Sequence, residues 1–375
     1  MKKTVLAAAI ATAMCGAVQA QSSVQLMGTA DIFAGGIRMA GDPGRRSVVN
    51  SGGMTTSWIG FKGVEDLGGG LKVNFALTSF LQVDSGNPGR FGGDPYFSRD
   101  ASVGLSGGFG TVTVGRALAP NFLPTVIFNP FGDSFTFSPL VLHANVGLFN
   151  GTGWTATSPS DTGWSNEIVY STPSWNGLSA NIHYQLGEQA NTNGPHNFGF
   201  NVLYFSGKFA ATAFYERDQI ANPTPARFAT LDKKTDWMLG ASYDFTVVKA
   251  FATYGQAKSD TLVPERKTLS LGASVPFGSG KFLAGTARTK VTPGNAKRTT
   301  TTVGYDYNFS KSTDVYIIHM ADPQVIHRHI VVADAHCFGV DAAVQKLKGN
   351  RGGEAEQAFI VAQLFAAEVK ITPID

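Results

Sequence analysis

The 375-residue chain carries 30 Lys and Arg against 27 Asp and Glu, a balance that gives no electrostatic case for binding nucleic acid. Charged residues make up only 15% of it, alongside 44 Gly and 27 Phe, whereas a soluble domain usually carries about a quarter. Past residue 20 no run is apolar enough to cross a bilayer as a helix, which excludes a helical membrane protein as well.

The chain opens with Met1-Lys2-Lys3, an apolar stretch from Val5 to Met14, and small residues at Val18 and Ala20. This is the pattern of a secretory signal peptide over residues 1–20, with cleavage expected before Gln21. Loss of Lys2 and Lys3 from the 30 basic residues leaves 28 against 27 acidic, close to neutral. Met14 is too bulky to precede a lipidated Cys15. The mature chain then keeps one cysteine, Cys337, so internal disulfides do not hold it together.

From Val24 onward the chain alternates. Leu26, Gly28, Ala30, Ile32 and Ala34 share one face, and Gln25, Met27, Thr29 and Asp31 the other. Leu71, Val73, Phe75 and Leu77 alternate with Lys72, Asn74, Ala76 and Thr78. The same parity holds for Leu178, Ala180, Ile182 and Tyr184 against Ser179, Asn181, His183 and Gln185. It returns at Leu269, Leu271, Ala273 and Val275 against Thr268, Ser270, Gly272 and Ser274, and at Val303, Tyr305, Tyr307 and Phe309. Period two with one polar face marks half-buried strands, and about fifteen are legible between Val24 and Met320. An exported chain of such strands has one way to span hydrocarbon, a closed sheet with no open edge. Its apolar face meets lipid and its polar face the lumen.

Connections alternate between two classes. Short ones fall at 65–70, 107–110, 173–177, 206–207, 246–247, 276–280 and 310–311. Long ones fall at 39–55, 82–97, 117–164, 187–197, 218–236, 257–266 and 290–297. Short turns on one rim and long loops on the other fit an outer-membrane β-barrel, as do aromatics collected near strand ends. The longest loop, 117–164, carries Phe122, Phe128, Phe131, Phe135, Phe137 and Phe149. Such a density of aromatics argues for a packed segment and against a disordered one.

Four stretches carry a family resemblance: SVQLMGTAD at 23–31, IGFKGVEDLGGGLK at 59–72, VGLSGGFGTVTVGR at 103–116 and YDYNFSKSTDVY at 305–316. Over residues 1–320 the chain resembles the trimeric general porins of Gram-negative outer membranes, the betaproteobacterial type in particular. The resemblance implies an all-β, sixteen-stranded antiparallel transmembrane barrel, a homotrimer, and a third loop folded into each lumen. An even strand count requires one more strand beyond Met320. The end of the chain departs from the family, whose last strand finishes on an aromatic. Ala321-Asp322-Pro323 interrupts the alternation, and His327, His329, His336 and Cys337 cluster. Phe338-Gly339-Val340 echoes a last strand, and 354–370 reads as an amphipathic helix. The domain reading is therefore a signal peptide over 1–20, a barrel over 21–320, and an atypical tail over 321–375 that reads as a shifted frame or a fusion.

A porin performs no bond chemistry, and no cofactor or metal is expected. Its working parts are charges at the waist of a wet hole. Parity and resemblance point to Lys62, Lys72, Arg99 and Arg116 on the wall, Arg38 near the loop end of the first strand, and Asp133 as the facing acid on the third loop. Trp58 and Val169 stand where relatives often carry Arg or Lys, which argues against strong anion selectivity. The expected partners are two further copies of the chain, outer-membrane lipid and lipopolysaccharide, and small ions and hydrophilic solutes. Two rival readings are a non-conducting barrel that has lost its closing strand, and an outer-membrane lipid hydrolase. The second lacks a Gly-Xaa-Ser-Xaa-Gly elbow, and His183 alone is ordinary on a polar face. His327 and His329 share one strand face, but no carboxylate cluster completes a metal set with them.

Overall fold

The computed structural model describes residues 23–39, 43–144, 162–188, 190, 194–222, 226–227, 233–258, 265–292, 297–322, 325–335 and 368–369. The expected signal peptide, Cys337 and the 338–340 echo lie outside these. So does the predicted helix over 354–370, except for Glu368–Val369, which form a short strand segment paired with Leu26 and Met27.

Sixteen antiparallel strands make up one sheet. Strand β1 runs Ser23–Thr29 and, after a break at Ala30 and Asp31, Ile32–Met39; β2 runs Arg46–Ser51 and then Trp58–Gly68. There follow β3 Leu71–Gln82, β4 Asp100–Gly107, β5 Gly110–Leu118, β6 Gly163–Ser171, β7 Leu178–Gln185 and β8 Asn197–Ser206. The second half comprises β9 Phe209–Asp218, β10 Lys234–Asp244, β11 Lys249–Lys258, β12 Glu265–Phe277, β13 Gly280–Thr292, β14 Lys297–Asn308, β15 Thr313–Asp322 and β16 Val325–Ala335. Each strand pairs with its sequence neighbour. β16 pairs with β15 on one side and with Ala34–Met39 of β1 on the other, so the ladder returns to its start. The extra strand demanded beyond Met320 is thus β16. Ala321 and Asp322, expected to break the pattern, belong to β15, with a register shift between Met320 and Asp322.

The burial is inside-out. Ile59, Phe61, Val103, Leu105, Val114, Ile182, Leu239, Leu269, Leu271, Val303 and Ile317 are exposed, while Gln185, Asn197, Asn201, Glu216, Thr268, Thr300 and Thr302 are buried. A water-soluble fold would not present its aliphatic side chains this way; a lipid-facing barrel must. Among the described residues no helix is long and apolar enough to cross a membrane. The tight rim is built by residues that tolerate positive φ. Gly68, Gly69 and Gly70 turn β2 into β3 at φ of 82°, 62° and 84°, where a Cβ would be strained.

The third loop enters the barrel, and its described part holds two short helices, α1 Phe122–Ile127 and α2 Pro139–Ala144. Phe131, Phe137 and Leu142 pack with Phe33 and Ile37 of β1, Leu283 of β13, and Tyr316, Ile318 and Met320 of β15. Phe128 meets Leu203 and Ala210, and Leu140 meets Phe214 and Met238. Phe131 and Phe137 are fully buried, each removing roughly 2–3 kcal/mol worth of ring surface from water. Phe128, Phe131 and Phe137 therefore face the inner wall, as a loop folded inward requires, while Phe149 lies outside the described residues.

Candidate functional site

Asp31 stands where β1 breaks, fully buried. Its carboxylate accepts the backbone N–H groups of Gly53, Met54 and Thr55 at 2.8, 2.6 and 2.8 Å, and the Tyr316 hydroxyl at 2.8 Å. Its own N–H donates to Ser57 Oγ at 2.8 Å. One carboxylate thereby shapes the turn between the two halves of β2. That turn receives the tip of the third loop: Ser134 Oγ donates to Gly53 O and Thr136 Oγ1 to Gly52 O, both at 2.6 Å, and Thr55 Oγ1 donates to Asp133 at 2.7 Å.

The far side of the loop is pinned as firmly. Asn121 Nδ2 donates to Glu216 at 3.1 Å, and Asn201 Nδ2 to Pro120 O at 2.9 Å. Glu216 shares Lys234 with Asp218 and Asp236, at 3.1, 3.4 and 3.3 Å. The His143 imidazole lies between Thr289 Oγ1 and Thr300 Oγ1, each at 2.7 Å. Burial, reinforced by the Arg298 cation, lowers the His143 pKa to about 3, so the ring is neutral. Thr302 Oγ1 donates to Phe137 O at 2.8 Å. Thr300 donates to Asp322, whose other bonds run to the Arg298 guanidinium at 2.8–3.3 Å.

Of the charges expected on the wall, the structure gathers Lys62, Arg99 and Asp133. Lys62 lies on the inner face with Trp58 and Gly60, while Ile59 and Phe61 point outward. Arg99 stacks 4.1 Å above the Trp58 ring and bonds Asp100 at 2.8 Å; Asp100 also accepts Thr78 Oγ1 at 2.7 Å. Arg99 is the charge that both Lys62 and Asp133 feel. Burial raises the Asp133 pKa; Thr55 and Arg99 oppose that rise, and nearby Asp31 adds to it.

The other three basic residues are placed differently. Arg116 follows Gly115, whose φ of 128° marks a bulge against β6. Its guanidinium is cradled by Ser98 O at 2.7 Å, Gly163 O at 3.1 Å and Ser165 Oγ at 3.0 Å. Lys72 has lumen parity but sits beside the glycine turn, six residues along β3 from Thr78, about 20 Å at 3.3 Å per residue. Arg38 is exposed and shares parity with Ala34 and Gly36, opposite the face on which Phe33 and Ile37 meet the third loop. Val169 is buried, and His183 lies 3.2 Å from Glu167. Asp31, Thr55 and His143 were not among the expected site residues. Asp31 shows in sequence only as one more polar residue at inner parity.

A barrel with an inward loop opposing a basic wall can pass solutes. The family model for Gram-negative porins matches residues 6–321. Outer membrane porin protein 32 of Delftia acidovorans is 32% identical over 329 residues, covering 84% of this chain and 88% of that protein. A Bordetella pertussis outer membrane porin is 26% identical, with 84% and 93% covered. Among solved structures, an anion-selective porin from Comamonas acidovorans superposes with a TM-score of 0.70 at 26% identity, covering 85% of this chain and all of that one. Salmonella typhi OmpF shares the fold at a TM-score of 0.57 and 17% identity. The chain belongs to the Gram-negative porin family, and is an outer-membrane pore for passive diffusion of small hydrophilic solutes, not an enzyme.

Proposed function

We propose that this porin works as a homotrimer whose three lumens conduct independently, with lipid and lipopolysaccharide around the assembly. Residues 1–20 act as the export signal and 21–320 as the body of the pore, which is completed by β16 at 325–335 from within the 321–375 tail that reads as a shifted frame or a fusion. Solutes and ions run down their gradients past a constriction between the third loop and the wall that bears Lys62 and Arg99, with Asp133 facing them. The observation that carries this reading is the third loop, bonded along its described part at Asn121, Ser134 and His143 to the inner wall of a ring whose exterior is aliphatic.

The hydrogen bonds of β16 to both β15 and β1 favour a conducting barrel over one left open by its altered end. Detergent-purified protein added to planar bilayers should open in steps grouped by three. Absence of conductance from well-folded protein, or turnover of lipid, would overturn the reading. Sequencing the gene near codon 317 for a one-base slip tests the origin of the tail separately.

A further inference from the structure

The seam of the barrel is laddered by β16 over only part of its height. β16 pairs with β1 from Met39 down to Ala34, where Val331 is the last partner. β1 runs on to Ser23, and over Ser23–Thr29 its other side is paired throughout with residues 58–64 of β2. On the seam side of that half, among the described residues, Leu26 and Met27 alone have strand partners, Val369 and Glu368. Backbone N–H and C=O groups alternate in direction along a strand, so about half of those in Ser23–Thr29 face the seam. Hydrocarbon offers them no partner. Val24, 65% exposed, presents an apolar outer face at this height.

We propose that residues 366–372 of the C-terminal tail lie along Ser23–Thr29 as an antiparallel strand and seal the half of the seam that β16 leaves open. The contact of Glu368–Val369 with β1 fixes the register. Carried two residues one way and three the other, it sets Ala367 opposite Gly28 and Ile371 opposite Val24. Val24, Leu26 and Gly28 share the outer face, while Met27 packs inward with Trp58 and Phe80. Opposed residues of an antiparallel pair share a face. In this register the tail alternates as the wall demands: apolar Ala367, Val369 and Ile371 match outer positions, and polar Glu368, Lys370 and Thr372 match inner ones. A slip of one residue would reverse all six. Pro373, which has no N–H to give, comes just past the partner of Ser23, where the ladder ends. The inference goes beyond the pore reading, since a barrel in hydrocarbon needs a closed seam whether or not it conducts.

The test is disulfide trapping in the full-length protein, folded in detergent, with Cys337→Ser as background. Directly opposed strand residues hold their Cα atoms about 4.5–5.5 Å apart, within the span of a disulfide. Val24→Cys with Ile371→Cys should therefore form an internal bridge under mild oxidation, read by peptide mass mapping. Val24→Cys with Lys370→Cys, one residue out of register and on the opposite face, should not. A second measurement needs no cysteine variant and decides alone if those variants do not fold. Hydrogen exchange of the full-length protein is compared with that of a chain ending at Phe365, which keeps β16. Seam-facing amides within Ser23–Thr29 should lose protection in the shorter chain, while amides of 34–39, held by β16, keep theirs. The proposal is overturned if folded protein forms no bridge between positions 24 and 371, or if the position 370 pair bridges as well. Bridges between separate chains would assign the edge to a neighbouring copy's tail and overturn it too, as would equal protection of Ser23–Thr29 in the two chains. None of these readouts depends on conductance, so they stand apart from any failure of the pore reading.

Discussion

Substituting His143 should abolish an acid-dependent weakening of the third loop's hold on the wall. The ring is 5% exposed, with one nitrogen on Thr289 and the other on Thr300 at 2.7 Å each. A neutral imidazole satisfies this as donor on one side and acceptor on the other; an imidazolium would place a buried cation near Arg298. Docked, the ring titrates at about 3; in a released loop it regains the ordinary 6.5. A pKa lowered in the docked state leaves docking untouched above pH 6.5 and weakens it as pH falls, because only the released loop takes the proton. The weakening is about 1.4 kcal/mol per pH unit, near 2 kcal/mol at pH 5 and about 4 kcal/mol at pH 3. Asp133, whose carboxyl is raised, works in the opposite sense and strengthens docking as it protonates. Hydrogen exchange of amides 140–144, corrected for intrinsic rates, should show protection falling with acid in the wild type. In His143→Gln the fall should be absent, leaving only the Asp133 contribution. Equal pH profiles for the two proteins would refute the reasoning.

Phe137→Ala empties a fully buried site between Phe33 and Tyr316. It should weaken loop docking by about 3–5 kcal/mol, seen as faster proteolysis within the loop while the strands stay protected. Removing everything after Asp322 deletes β16 and exposes the edges of β1 and β15, which hydrocarbon does not tolerate. That truncation should fail to give a heat-modifiable band after refolding, whereas a chain ending at Ala335 should give one. Equal refolding of the two would show that β16 is not needed for closure.

Most of the barrel was legible because the period is two and the environment two-sided. Thr268 and Ser270 inside, with Leu269 and Leu271 outside, follow from parity alone. The third loop was legible from its length and its phenylalanines, but its landing place was not. The residues it lands on break the parity rule: Phe33, Ile37, Leu283, Tyr316 and Ile318 are apolar at inner positions. Those lapses outline the footprint of the loop, because an inner residue covered by protein no longer meets water. The wall charges were legible as to face and poorly legible as to role. Lys62 follows from alternation with Phe61, but Arg116 depends on a bulge at Gly115 that parity cannot foresee. Arg38 was placed by proximity to a loop and stands at outer parity.

The closing strand shows a different limit. The family match ends at 321, before β16 begins at Val325, so the chain is closed by sequence that the family model does not match. A barrel seam asks chiefly for backbone donors and acceptors in register, and residues 325–335 supply them with no proline and one register shift on each side near Ile326. Val and Ile, five of these eleven residues, also suit extended backbone. The aromatic last residue of the family is not among these requirements. Its absence made the tail unreadable as a strand without removing what a strand needs, and β16 accordingly bonds β15 over nine register positions and β1 over six.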